Sequence, residues 1–133
     1  MNPKKILLAD DDMDDLELLE EAFLTADPDL LLSKVSSGRE GLAYLKSCDD
    51  NMLPCLIVLD YNMPDISGAE VLAVILKDDR YKKIPSVIWS TSNTKLYKEI
   101  SLQRGAKHYY QKPHNFQDIV SLAQEMLLIC EEH

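Results

Sequence analysis

The chain has 133 residues, of which 46% are hydrophobic, and this size and composition are typical of one globular domain with a true core. Its formal net charge of -9 at pH 7 gives a surface that repels nucleic-acid phosphates and anionic lipids, so we expect neither as a partner. The longest apolar runs, residues 55–59 and 126–130, are far shorter than the roughly 20 residues of a membrane span. We therefore predict a single domain over residues 1–133, in the cytoplasm and without membrane insertion.

The cysteines also agree with a cytoplasmic location. Cys48, Cys55 and Cys130 form no CxxC pair and cannot all pair with one another. Such spacing favours reduced, packed thiols over a disulfide framework or a zinc site.

Short apolar runs alternate with segments of helical period along the chain. Strands are predicted at residues 5–9, 31–36, 55–59, 86–90 and 107–110, and helices at residues 14–26, 39–47, 68–77, 95–104 and 116–130. Strands that alternate with helices in this way are typical of a parallel α/β fold. Residues 56–59 are apolar without alternation, as in a strand covered on both faces, so we expect this strand at the centre of the sheet.

Polar residues follow the predicted strands at the edge where parallel sheets bind ligands. Asp10 and Asp11 follow the first strand, Asp60 follows the third, and Ser90 and Lys112 lie at the ends of the fourth and fifth. Carboxylates gathered at one point repel each other unless a cation lies between them, and an all-oxygen site favours Mg²⁺. Asp60 directly follows the most apolar strand, so it is the best candidate for a nucleophile that accepts a phosphoryl group. Lys112 and Ser90 would then interact with the phosphoryl oxygens.

The acidic run also allows two other interpretations. It is compatible with an acidic helix start, since acids favour the positive end of a helix dipole. It also imitates a calcium loop, with Asp10, Asp12 and Asp14 at alternate positions. The sixth position of such a loop requires glycine and here holds Asp15, while the preceding residues are predicted as strand, so a calcium loop is not expected.

Four ordered motifs resemble the receiver domain of two-component response regulators. They are ILLADDD at residues 6–12, LIVLDYNMPDISG at 56–68, IPSVIWSTS at 84–92 and GAKHYYQKP at 105–113. The resemblance spans nearly the whole chain. It implies a flavodoxin-like doubly wound fold, in which a five-stranded parallel sheet has the order 2-1-3-4-5.

The resemblance also implies the role of each matching residue around the metal. Asp60 corresponds to the phosphoacceptor, and Asp10 and Asp11 to the acidic pair that binds Mg²⁺. In the family the first of this pair usually binds through water and the second binds directly. Asn62 corresponds to the residue whose backbone carbonyl completes the metal shell.

Three further residues correspond to the family's phosphate-sensing and switch positions. Lys112 matches the lysine that precedes a proline, Ser90 matches the hydroxyl residue, and Tyr109 matches the aromatic switch. We expect Ser90 to move toward Asp60 and the Tyr109 ring to turn from an exposed to a buried rotamer. Two neighbours depart from the family pattern, because Thr91 stands where alanine is frequent and Trp89 where aliphatic residues are usual. Their bulk beside Ser90 is expected to restrict this movement.

The function implied is that of a stand-alone receiver without an output domain, which is a signalling protein and not a conventional enzyme. It would accept phosphate from a sensor histidine kinase or a histidine phosphotransfer protein and act on a protein target by contact. A haloacid-dehalogenase-like phosphatase is an alternative, but Asn62 stands where it needs a proton-donating aspartate. A flavodoxin is another, but residues 10–12 would repel the flavin phosphate.

Overall fold

The computed structural model describes residues 4–131, so the outermost residues of the predicted domain lie outside it. Five strands alternate with five α-helices along the chain. In order they are β1 (Lys5–Ala9), α1 (Met13–Ala26), β2 (Leu31–Val35), α2 (Gly38–Ser47), β3 (Leu56–Asp60), α3 (Gly68–Lys77), β4 (Ser86–Ser90), α4 (Lys95–Gln103), β5 (His108–Gln111) and α5 (Phe116–Glu131). Every predicted element is present, and the bounds differ by at most one residue at either end.

The strands form one parallel sheet in the order β2-β1-β3-β4-β5, which confirms the predicted fold class. β3 lies in the middle, and all five of its residues are buried, as its continuous apolar run predicted. β3 extends one residue further than predicted because Asp60 pairs in register with Trp89 of β4. The Asp60 backbone is therefore held by the sheet and not by a loop.

Two apolar layers cover the sheet, since successive side chains of a strand point to opposite faces. Leu8 and Val58 pack with α1 and α5 on one face. Leu7 and Leu59 pack with α2, α3 and α4 on the other. Within residues 4–131, no helix combines the length and the hydropathy that crossing a membrane would require.

Polar caps start the helices that border the carboxyl edge of the sheet. The Asp12 carboxylate accepts hydrogen bonds from the backbone N–H groups of Asp14 and Asp15 at the start of α1. Ser67 and Glu70 form a reciprocal capping box at the start of α3. Because a cap satisfies backbone donors that the helix leaves unpaired, it sets the residue at which the helix begins. The caps therefore determine where the loops after β1 and β3 end and the helices begin.

The prediction that the cysteines are reduced was wrong for two of the three. Cys55 precedes β3, Cys130 lies in the last turn of α5, and the two form a disulfide with their Cα atoms 5.3 Å apart. Only Cys48 is a free thiol. The bonded residues are separated by 75 positions, so their proximity arises from the docking of α5 on the sheet. The spacing of the cysteines along the sequence does not predict that docking.

Gly68 lies directly against the backbone of Asp60. A Cβ at Gly68 would lie 2.5 Å from the Asp60 carbonyl oxygen and 2.9 Å from Ile88 Cδ1. We predict that Gly68→Ala lowers the free energy of unfolding by about 1–3 kcal/mol, because a backbone carbonyl in a central strand cannot move aside. Urea unfolding measures this loss.

Gly41→Ala is the matched control, because Gly41 is also helical and its Cβ would meet nothing nearer than Val35 Cγ2 at 3.7 Å. Alanine there should stabilise the protein by up to about 1 kcal/mol through helix propensity. Equal stabilities of Gly68→Ala and the unmodified protein would contradict the crowding at Asp60.

Candidate functional site

Three carboxylates meet at the carboxyl edge of the sheet. Asp10 and Asp11 follow β1, and Asp60 is the last residue of the neighbouring strand β3. One carboxylate oxygen from each lies within 4.8 Å of the others, with Asp10 and Asp60 buried and Asp11 exposed. The predicted grouping of these acids is therefore present, and carboxylate oxygens at this spacing suit a small divalent cation.

The two buried acids are unusually weak acids. Burial, reinforced by the nearby charge of Asp10, raises the pKa of Asp60 to about 8. Burial also raises the pKa of Asp10, against the opposing effect of Lys112. Loss of solvent disfavours the charged form of both carboxylates, and the second negative charge adds to this effect at Asp60. At pH 7 the carboxyl group of Asp60 is therefore largely protonated.

Lys112 supplies the positive charge of the site. Its Nζ lies 2.8 Å from Asp10 Oδ2, 2.8 Å from Asp15 Oδ2 and 3.7 Å from Asp60 Oδ1. The ammonium also sits over the Trp89 ring, 4.8 Å from its centroid. Burial acts to lower the pKa of Lys112, but its close contacts with the Asp10 and Asp15 carboxylates outweigh it and raise the pKa to about 12. The lysine is therefore a permanent cation.

Ser90 and Tyr109 meet at Ser92, on the loop after β4. Ser90 is fully buried, and its Oγ accepts a hydrogen bond from the Ser92 N–H at 3.2 Å. The Tyr109 hydroxyl donates to the Ser92 carbonyl at 2.6 Å. The Tyr109 ring is half-buried, and its turn to a buried rotamer stays a prediction.

Asn62 is exposed in the loop between β3 and α3. The Asp65 carboxylate holds this loop against α2 by accepting hydrogen bonds from Gly38 N at 3.2 Å and Arg39 N at 2.8 Å. The bond from Arg39 is the main reason that the pKa of Asp65 falls to about 2. Because Asp65 stays ionised, it keeps the loop after Asp60 in one place over the whole physiological pH range.

Comparison with known proteins agrees with this geometry. Residues 6–124 match the model of the response regulator receiver domain. The chain belongs to this family. It is 32% identical to the response regulator Rcp1 of Synechocystis sp. over 125 residues, which cover 92% of this chain and 85% of Rcp1.

Solved structures agree as well. The phosphorylated cyanobacterial phytochrome response regulator RcpA is 31% identical, with a TM-score of 0.84 over 93% of this chain and 91% of that one. The Mn(2+)-bound form of Rcp1 is 32% identical, with a TM-score of 0.80 over 92% and 91% of the two chains. The chain is thus a receiver of two-component signalling, and neither the phosphatase nor the flavodoxin alternative gains support.

The receiver also contains site residues that were not identified from the sequence. Asp15 was assigned only to the acidic helix start, yet it contacts Lys112. Helical periodicity could have identified it, because Asp15 lies four residues before Leu19 and seven before Ala22, both of which are buried. Ser92 contacts Ser90 and Tyr109 through its backbone N–H and carbonyl, so these two contacts do not depend on its residue type.

Proposed function

We propose that this receiver accepts a phosphoryl group on Asp60 from a sensor histidine kinase or a histidine phosphotransfer protein. The observation that supports this most directly is the Asp60 carboxylate at a buried strand end beside Asp10, Asp11 and Lys112. A carboxylate oxygen of Asp60 attacks phosphorus and forms an acyl phosphate. The P–N bond to the donor histidine breaks, and the leaving imidazole takes up a proton. Water later hydrolyses the acyl phosphate at the same site.

We propose that the reaction depends on Mg²⁺, and the donor set fits that ion. Within the described residues, the buried Asp10 Oδ2 has no hydrogen bond of good geometry, although it is ion-paired with Lys112. Asp10, Asp11 and Asp60, with the backbone carbonyl of Asn62, would hold the metal. The ion would neutralise negative charge on the carboxylates and on the incoming phosphoryl oxygens. Rcp1, which has been solved in a Mn(2+)-bound form, is a relative that supports a divalent ion.

Lys112 and Ser90 would act on the charge that arrives with the phosphoryl group. Lys112 is fixed next to Asp60 because its backbone N–H donates to the Ser90 carbonyl at 2.7 Å. Its ammonium is positioned to donate to a phosphoryl oxygen. Ser90 Oγ accepts from Ser92, which leaves the hydroxyl proton free for another phosphoryl oxygen.

The signal would leave by the face that α4, β5 and α5 form. A shift of Ser90 changes the Ser92 loop, to which Tyr109 is hydrogen-bonded. A second connection would link Asp60 with α4. Tyr61 directly follows Asp60, and its ring stacks on that of Tyr97 in α4 with the ring centroids 4.2 Å apart. We propose that a protein target binds this face.

The role of Asp60 gives the first test of this proposal. We predict that Asp60→Asn abolishes phosphorylation by acetyl phosphate and Mg²⁺, because an amide is not a nucleophile. Intact-mass measurement detects the added phosphoryl group. The control is Asp49→Asn, since Asp49 is exposed and its side chain makes no capping hydrogen bond. Labelling of Asp60→Asn to the level of this control would exclude Asp60 as the acceptor.

Magnesium affinity should depend on pH. Below the raised pKa of Asp60, about 8, the metal-free site holds a proton that a cation must displace. We predict that Mg²⁺ affinity rises about tenfold per pH unit from pH 6 to 7 and levels off above pH 8. Titration calorimetry measures this slope. Asp60→Asn should bind more weakly with a flatter pH profile, whereas a flat profile in the unmodified protein would contradict proton competition.

The role of Ser90 can be separated from phosphate acceptance. We predict that Ser90→Ala still binds beryllofluoride but loses most of the resulting NMR shift changes at Tyr97, Tyr109 and Tyr110. Ser86→Ala is the matched control, because Ser86 is a buried serine at the opposite end of the same strand. Equal shift changes in Ser90→Ala and Ser86→Ala would show that the Ser90 hydroxyl does not transmit the signal.

A further inference from the structure

Three carboxylates share the single ammonium of Lys112, but not equally. Lys112 Nζ donates a well-aligned hydrogen bond to Asp15 Oδ2 at 2.8 Å. Asp10 Oδ2 is equally close but lacks a hydrogen bond of good geometry from any described residue. Asp60 Oδ1, at 3.7 Å, is beyond hydrogen-bonding distance. The lysine is therefore directed toward α1 and away from the proposed phosphoacceptor.

We propose that Asp15 is a positioning residue that competes with the phosphoryl group on Asp60 for Lys112. This inference rests on the proposed phosphorylation of Asp60. In the unphosphorylated receiver, Asp15 holds the ammonium on the α1 side of the site. A phosphoryl group on Asp60 adds negative charge, and Lys112 exchanges the Asp15 carboxylate for a phosphoryl oxygen. Asp15 thereby opposes phosphorylation without touching the reacting atoms.

Solvent exposure identifies Asp15 as the partner that Lys112 releases. The Asp15 side chain is 27% exposed, whereas that of Asp10 is 0% exposed. A carboxylate that loses its cation needs water in return, and an ion left buried without a partner is costly. Asp15 can be hydrated from the cleft of about 430 Å³ that it lines with Lys112 and Phe116. Asp10 has no such access, so its ion pair with Lys112 is retained.

Trp89 provides both a support and a reporter for this exchange. Its ring lies under the ammonium, 4.8 Å from Nζ to the centroid, and an aromatic face attracts a cation at such a distance. Lys112 can turn between Asp15 and Asp60 while it remains over this ring. Trp89 is the single tryptophan of the chain, so its fluorescence reports the position of the ammonium without a label.

The test compares beryllofluoride affinity, at saturating Mg²⁺, in Asp15→Asn and Asp14→Asn. Both variants remove one negative charge from the first turn of α1, but Asp14 is exposed and is not an ion-pair partner of Lys112. Titrations followed by Trp89 emission should show about five-fold tighter binding in Asp15→Asn, the size expected for a partly exposed ion pair. Asp14→Asn should change the affinity less than two-fold.

A second measurement addresses the contact itself in the absence of beryllofluoride. The ammonium protons of Lys112 can be observed by ¹⁵N-selective NMR when hydrogen bonds slow their exchange with water. These signals should shift or broaden in Asp15→Asn and stay in place in Asp14→Asn. Urea unfolding of both variants shows whether the fold is kept, and a merely structural role of Asp15 would change stability without changing beryllofluoride affinity.

The outcomes separate this inference from the proposed function. If the unmodified receiver fails to bind beryllofluoride, or if Asp60→Asn binds it equally well, the proposed function itself is wrong. If binding is normal but Asp15→Asn matches Asp14→Asn, or binds more weakly, Asp15 does not compete for Lys112. Unchanged Lys112 ammonium signals in Asp15→Asn would likewise overturn the proposal.

Discussion

Four carboxylates and one ammonium lie together at the carboxyl edge of the sheet, and the properties of the site depend on this imbalance of charge. Lys112 contacts Asp10 and Asp15 directly, while Asp60 lies slightly further away and Asp11 joins the group from solvent. Burial and the nearby charge of Asp10 raise the pKa of Asp60 to about 8, so its carboxyl group is largely protonated at pH 7. We expect the same excess of negative charge to favour binding of a divalent ion, without which an added phosphoryl group would be costly.

The fold can maintain this arrangement because each charged group is attached to a rigid element. Asp60 is paired with Trp89 inside the sheet, and the Lys112 backbone is bonded to Ser90 of the same neighbouring strand. Asp15 is in the first turn of α1, where the Asp12 cap fixes its backbone. These backbone contacts hold the charged residues close together, while the long side chain of Lys112 can still change its partner.

The spacing of hydrophobic residues predicted the helices and strands well. In a doubly wound sheet, the packing of each element on its neighbours determines both which residues are buried and how they are spaced along the chain. The residues that follow each strand could be placed together for the same reason, and this identified Asp10, Asp60 and Lys112. The bond between Cys55 and Cys130 was not predictable, because it depends on where α5 docks. The Ser92 contacts were not predictable either, since they use backbone atoms that every residue possesses.

The last two residues of β4 contact different parts of the site. Trp89 lies against Lys112, and Ser90 is hydrogen-bonded to Ser92. Trp89 is buried in the α1 and α5 layer, beneath Lys112, so the alternation of a strand points Ser90 toward the opposite layer. The Trp89 ring therefore lies on the other face of the sheet from the Ser90 side chain, and the restriction of Ser90 by Trp89 and Thr91 stays a prediction. In the proposed mechanism, a shift of Ser90 would also displace the Trp89 ring under Lys112, because the two residues share one backbone. The proposed charge exchange at Lys112 and loop movement at Ser92 would thus be coupled through the end of a single strand.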